Sequence, residues 1–142
     1  MINHILCHRP NKVRRSGEVS EKTILVVDDE TMVINVTSAI LRSEGNVCLT
    51  ATNGQEGLEV FLEHCDGIAM VVTDLNMPRM NGVEMARAIK EMKPEVKIIF
   101  VSGLAADFDV DYLRTLGFIL QKPFTPNQLL ELVRRYLQEL SF

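Results

Sequence analysis

The sequence predicts an α/β protein: a doubly wound (βα)5 sandwich whose five-stranded parallel sheet has the order 2-1-3-4-5, with helices on both faces. Three observations carry that reading. Short apolar runs, most of them rich in β-branched residues, alternate with amphipathic stretches from Thr23 onward. The runs lack polar alternation, as strands covered on both sides should. The connections are short, so right-handed crossovers wind the units into one sheet. At 142 residues, 46% hydrophobic and 24% charged, the chain can form one domain with a core of its own.

The elements follow in order. Strands are expected at Ile24–Val27, Val47–Ala51, Ile68–Thr73, Val96–Val101 and Phe118–Leu120. The first helix spans roughly Thr31–Ser43, with Val33, Val36, Ile40 and Leu41 on its inner face and Gly45 ending it. Asn53 is a candidate N-cap for the second, which should bury Gly57, Leu58, Phe61 and Leu62. The third follows Gly82, turns Val83, Ala86, Ile89 and Lys90 to one side, and must stop before Pro94. Leu113 and Leu116 mark a shorter fourth helix that ends at Gly117. Thr125 caps and Pro126 begins the last, with Leu129, Leu130, Val133, Leu137 and Leu140 facing inward. Residues 1–21 show no sustained periodicity and read as a flexible extension; the domain runs from 22 to 142.

In an open parallel sheet, ligands bind beyond the carboxyl ends of the strands. Those ends carry Asp28-Asp29-Glu30, Asp74, Ser102-Gly103 and Lys122-Pro123-Phe124. Three carboxylates on one rim repel one another, and a hard divalent cation relieves the repulsion. Mg2+ keeps several waters, so two or three protein oxygens suffice. Asp29 and Asp74 are the natural direct ligands, Asp28 can act through a water, and a backbone carbonyl just after Asp74 can complete the set. An aspartate can also attack phosphorus and become an acyl phosphate. Such transfer needs positioning and charge neutralisation, which Mg2+ and Lys122 supply while Ser102 offers a hydroxyl donor. Alone, each residue has a plainer role: the acids could cap a helix, Ser102 could serve a turn, and Lys122 could be a surface lysine.

The runs I-L-V-V-D-D-E (24–30), V-V-T-D-L-N-M-P-R-M-N-G (71–82), F-V-S-G (100–103) and L-Q-K-P-F-T (120–125), in that order, resemble the receiver domain of two-component response regulators over essentially residues 22–142. The resemblance implies a phosphorelay receiver in which Asp74 accepts a phosphoryl group from the phosphohistidine of a sensor histidine kinase or phosphotransfer protein. It implies Asp28 and Asp29 as acidic metal-site residues, the main-chain oxygen of Asn76 as a further Mg2+ ligand, Ser102 as the switch hydroxyl, Lys122 as the phosphate-sensing cation, and a cis Lys122–Pro123 bond. It also implies a downstream protein partner and a homodimer through the face made by the fourth helix, fifth strand and fifth helix. Two features depart from the pattern. Ile119 stands where receivers commonly carry Tyr or Phe, with Phe118 on the opposite strand face, and the segment between Ser102 and Lys122 is short. The C-terminal motif resembles receivers attached to hybrid kinases, so the chain either acts alone or is excised from a longer protein.

Composition narrows the alternatives. Residues 1–22 carry five Lys/Arg against two Glu, whereas the remainder carries ten basic and seventeen acidic residues. An acidic body argues against nucleic-acid binding. No apolar run approaches a membrane span, and no secretory signal opens the chain, so a cytoplasmic location is expected. Three cysteines (Cys7, Cys48, Cys65) without a C-x-x-C pair argue against a disulfide framework, and His4, Cys7 and His8 lack the further ligands of a zinc site. A phosphatase acting on external substrates would need a pocket that the short connections leave little chain to build. A receiver-like module independent of phosphate would not need Asp28, Asp29, Asp74 and Lys122 together. Neither G-x-G-x-x-G nor a P-loop lysine motif is present to bind a nucleotide.

Overall fold

The structure is a computed structural model that describes residues 22–103 and 108–139. The chain alternates β1 (Thr23–Val27), α1 (Thr31–Arg42), β2 (Val47–Ala51), α2 (Gly54–His64), β3 (Ile68–Asp74), α3 (Gly82–Met92), β4 (Lys97–Ser102), α4 (Val110–Leu116), β5 (Phe118–Gln121) and α5 (Pro126–Glu139). All four ladders are parallel and the order is β2-β1-β3-β4-β5, as expected. The readings of residues 1–21 and of Leu140 lie outside the described residues. No helix among the described residues is long and apolar enough to cross a membrane.

Strand alternation divides the interior into two cores. Leu25, Val27, Val71, Ile98 and Phe100 pack on one face with Phe61 of α2, Met85 and Ile89 of α3, and Leu113 of α4. Ile24, Val26, Met70, Val72, Ile99 and Val101 pack on the other with Leu41 of α1 and Leu129 and Val133 of α5. Both faces are covered, which is why the strands need no polar side. The helix ends match their local chemistry. The side chain of Asn53 caps α2, Asn81 and Glu84 form a capping box on α3, and Thr125 and Gln128 exchange the same pair of bonds at α5. Gly45 closes α1 with φ +85°, a conformation that side chains resist, while its N–H donates to the carbonyl of Arg42.

Two expectations need correction. The buried stripe of α1 is Ile34, Thr37, Ser38 and Leu41, whereas Val36 is 58% exposed and lies near Met32, 78% exposed. Both stripes have helical spacing; apolarity favoured the neighbouring one, while the tight entry from Glu30, whose carbonyl accepts the Ile34 N–H, sets the helix rotation. Leu62 of α2 is likewise exposed, with Gly54, Gly57 and Phe61 inward instead. Cys48 is a buried free thiol.

The Ser38 hydroxyl is buried against the sheet and makes no hydrogen bond. Leaving such a group dry costs more than the small cavity made by deleting it. Ser38→Ala should therefore raise stability by about 1 kcal/mol in urea unfolding, and a loss of similar size would show that the hydroxyl is satisfied.

Candidate functional site

The site is assembled by the carboxyl ends of adjacent strands. β1 runs into Asp28, whose N–H donates to the carbonyl of Ala51 at 3.2 Å, so the ladder carries this residue to the rim. The residue is only 3% exposed. Oδ1 accepts the Glu30 N–H at 2.9 Å, and Oδ2 lies 4.0 Å from Lys122 Nζ. Asp29 follows and is exposed. Asp74 closes β3 opposite Val101 of β4, half-buried, with Oδ1 accepting the Leu75 N–H at 2.8 Å. One carboxylate oxygen from each of Asp28, Asp29 and Asp74 lies within 4.8 Å of the others.

Ser102 closes β4 one residue past the partner of Asp74 and is buried. Its carbonyl accepts the Lys122 N–H at 2.8 Å, so the same residue that brings a hydroxyl to the rim fixes the backbone of the lysine. The Lys122–Pro123 bond is cis, as the resemblance implied. Asn76 is exposed two residues past Asp74, and its N–H faces the Asp74 carboxylate. Asp28, Asp29, Asp74 and Lys122 thus converge directly, whereas Ser102 is tied to this group through its main chain. Ile119 and Phe118 do point to opposite faces. Ile119 packs against the core shared with α4, and Phe118 meets Tyr136 of α5 edge-to-face at 6.0 Å between centroids.

Residue-by-residue reading missed two supports of the site. A Cβ on Gly82 would fall 2.1 Å from the Asp74 carbonyl oxygen, and the Gly82 N–H donates to the Leu75 carbonyl at 3.0 Å. The start of α3 therefore presses on the backbone of the central aspartate. Arg79 has φ +69° at the centre of a γ-turn closed by the Met80 N–H on the Pro78 carbonyl at 2.9 Å. Gly82 ends the motif that follows β3, but a contact with a backbone eight residues earlier leaves no periodic trace. Arg79 gives no signal, since a non-glycine residue at positive φ is rare.

Electrostatics mark the cluster. Burial pushes the Asp28 carboxyl up to about 6; the charges of Asp74 and Asp29 add to the rise, while the Glu30 N–H and Lys122 oppose it. Asp74 is also raised, first by burial and then by Asp29, against Lys122 and the N–H groups of Leu75 and Asn76. A group raised in the folded state contributes its full stability below its unfolded value and loses it as pH climbs through the folded one. Without divalent cations, the chain should lose on the order of 2 kcal/mol relative to Asp28→Asn as pH rises from about 4 to about 6. Denaturant unfolding across that range checks it, and a stability difference that stays flat with pH contradicts it.

An all-oxygen, mutually repelling set with one exposed member suits a hard cation that retains waters. The residues therefore fit Mg2+, with Asp28, Asp29 and Asp74 able to hold it.

Comparison with known proteins agrees with this geometry. The family model for the response regulator receiver domain matches residues 24–134. The sensor kinase CckA of Brucella abortus is 34% identical over 135 residues, which cover 92% of this chain and 14% of that protein. The chain thus spans a small part of that relative. Among solved structures, a response regulator receiver domain protein from Clostridium thermocellum superposes with a TM-score of 0.79 at 30% identity, covering 84% of this chain and 97% of that one. The CheX–CheY–BeF3–Mg2+ complex from Borrelia burgdorferi gives 0.75 at 26% identity, covering 82% and 89%. Its sheet order, its acidic cluster suited to a phosphoacceptor site and the family match together show that this chain belongs to the response regulator receiver domain family of two-component signalling.

Proposed function

We propose that Asp74 accepts a phosphoryl group from the phosphohistidine of a sensor histidine kinase or phosphotransfer protein, with Mg2+ held by Asp28, Asp29, Asp74 and the main-chain oxygen of Asn76. The observation that carries this reading is the convergence of three carboxylates and Lys122 on one sheet edge. A similar receiver crystallised with Mg2+ and BeF3, and a sensor kinase containing a similar segment, support it. The domain is taken as residues 22–142 behind an extension of 1–21, in the cytoplasm.

When bound, Mg2+ supplies positive charge against the carboxylates and the phosphoryl oxygens. The chain's own groups do the rest. Leu75 N–H orients the Asp74 carboxylate. That carboxylate attacks phosphorus; the P–N bond breaks, and the imidazole leaves with the electron pair and takes up a proton. The Lys122 ammonium neutralises phosphoryl charge, and the Ser102 hydroxyl donates to a phosphoryl oxygen. The product carries about two negative charges, which draw Ser102 and Lys122 inward. Because the backbones of these two residues are bonded, β5 moves with them and biases the α4–β5–α5 face toward a protein partner or a second copy. Ile119 offers no ring to swing, so the backbone of β5 is the route.

Incubating the chain with a small-molecule phosphoryl donor and Mg2+ should add the mass of one phosphoryl group, removable by hydroxylamine as an acyl phosphate is. A gain that resists hydroxylamine, or no gain with either the small donor or a phosphorylated histidine kinase, contradicts the reading. In the same setting Mg2+ should raise the melting temperature at pH 7, and Asp29→Asn should remove most of that rise.

A further inference from the structure

The Asp74 carboxylate is steered by one peptide unit, that between Asp74 and Leu75. The N–H of this unit donates to Asp74 Oδ1 at 2.8 Å. Its carbonyl, the main-chain oxygen of Asp74, accepts the Thr73 hydroxyl at 2.9 Å. A peptide unit is flat and rigid, so whatever fixes the direction of the carbonyl also fixes the direction of the N–H. Turning the unit breaks both bonds together. The same carbonyl oxygen faces the start of α3, where a Cβ on Gly82 would fall 2.1 Å from it.

Thr73 is an unexpected residue for its place. It is 1% exposed and stands in register with Val27 of β1 and Phe100 of β4, both core side chains. Strand alternation puts it on the same face as Val71. Valine has the same branched shape, suits a covered strand as well, and avoids taking a hydroxyl out of water. What the hydroxyl adds is its bond to the Asp74 carbonyl. We infer that Thr73 is a positioning residue for phosphoryl transfer, holding the Asp74–Leu75 peptide so that the Leu75 N–H keeps the Asp74 carboxylate oriented for attack. This role presupposes that Asp74 is the phosphoryl acceptor.

Thr73 never touches the phosphoryl group; it acts through the peptide. Its bond also polarises that unit, because a carbonyl that accepts a hydrogen bond makes its own N–H the stronger donor. The carboxylate is therefore held by a firmer partner as well as a better aimed one. Gly82 and Thr73 share the work on one oxygen: the glycine leaves space for it, and the threonine sets its direction.

The test compares the full chain with Thr73→Val and Thr73→Ser. Valine keeps the shape and loses the hydroxyl; serine keeps the hydroxyl and leaves a methyl-sized gap in the core. Adduct formation is followed against the concentration of a small-molecule phosphoryl donor at saturating Mg2+, and hydrogen exchange of the Leu75 amide is read by NMR without donor or metal. In Thr73→Val the maximal rate should fall about threefold to tenfold, the range one hydrogen bond commands, with the half-saturating donor concentration unchanged. Leu75 exchange should quicken in the same variant, and Thr73→Ser should restore both readings. A rate that follows the core instead, normal in Thr73→Val and reduced in Thr73→Ser, overturns the role. So does a Leu75 amide that exchanges alike in wild type and Thr73→Val, or a serine variant that restores neither reading. An absence of adduct on all three proteins would count against Asp74 as acceptor, whereas the Leu75 amide decides by itself whether Thr73 holds the peptide.

Discussion

Asp74→Asn should abolish the hydroxylamine-labile phosphoryl adduct entirely while leaving the fold intact. The amide has nearly the same shape and can keep the Leu75 N–H as donor to its oxygen. It loses the nucleophilic carboxylate, and no neighbouring acid replaces it equally well. Asp28 is buried, raised to about 6 and engaged by Glu30 and Lys122, and Asp29 is exposed at the outer side of the cluster. The substitution also removes a charge that repels Asp28, so the metal-free protein should gain roughly 1 kcal/mol of stability at pH 7. Intact-mass measurement after donor treatment reads the first effect and urea unfolding reads the second. An adduct of wild-type yield on Asp74→Asn would transfer the acceptor role to another residue.

Gly82→Val should damage both the fold and the site. The added Cβ would sit 2.1 Å from the Asp74 carbonyl oxygen and 3.2 Å from Leu75 Cα, and these are backbone atoms that no rotamer change can move away. Either α3 withdraws, disturbing Met85, Ala86 and Ile89 in the core, or the β3–α3 connection shifts and takes Asp74 with it. Overpacking of this kind costs about 1–3 kcal/mol, and a misplacement near 1 Å can cost about a hundredfold in rate. Folding stability and phosphorylation rate should therefore both fall, the rate by about tenfold to a hundredfold. A Gly82→Val protein with wild-type rate and stability would show that the connection yields without strain. The γ-turn at Arg79 makes easy yielding unexpected, because that segment already holds an unfavourable backbone conformation.

The site was more legible than the helix faces, and the reason is geometric. In a parallel sheet, whatever follows an apolar run is delivered to the same rim, so Asp28, Asp74, Ser102 and Lys122 could be placed together from strand ends alone. Helix rotation has no such anchor. Val36 and Leu62 satisfy helical periodicity and are nevertheless exposed, because Thr37, Ser38 and Gly57 occupy the surfaces turned toward the sheet. Small and hydroxyl-bearing residues carry little hydrophobic signal, although they can allow a helix to approach closely. Lys93 was silent for a related reason: a lysine whose ammonium is spent on backbone carbonyls looks, in one dimension, like any surface cation.

By itself the sequence determined the order of elements, the parallel sheet and the set of polar groups at its carboxyl edge, since apolar runs and their terminating residues are local properties of the chain. Tertiary structure alone decided how those groups differ. Asp28 is buried and holds its proton up to about 6, while the adjacent Asp29 stands in solvent. Burial and field depend on what other segments bring alongside: Ala51 from β2, Lys122 from beyond β5 and the start of α3 beneath Asp74. Those neighbours are distant in sequence, and desolvation is a property of the space they enclose.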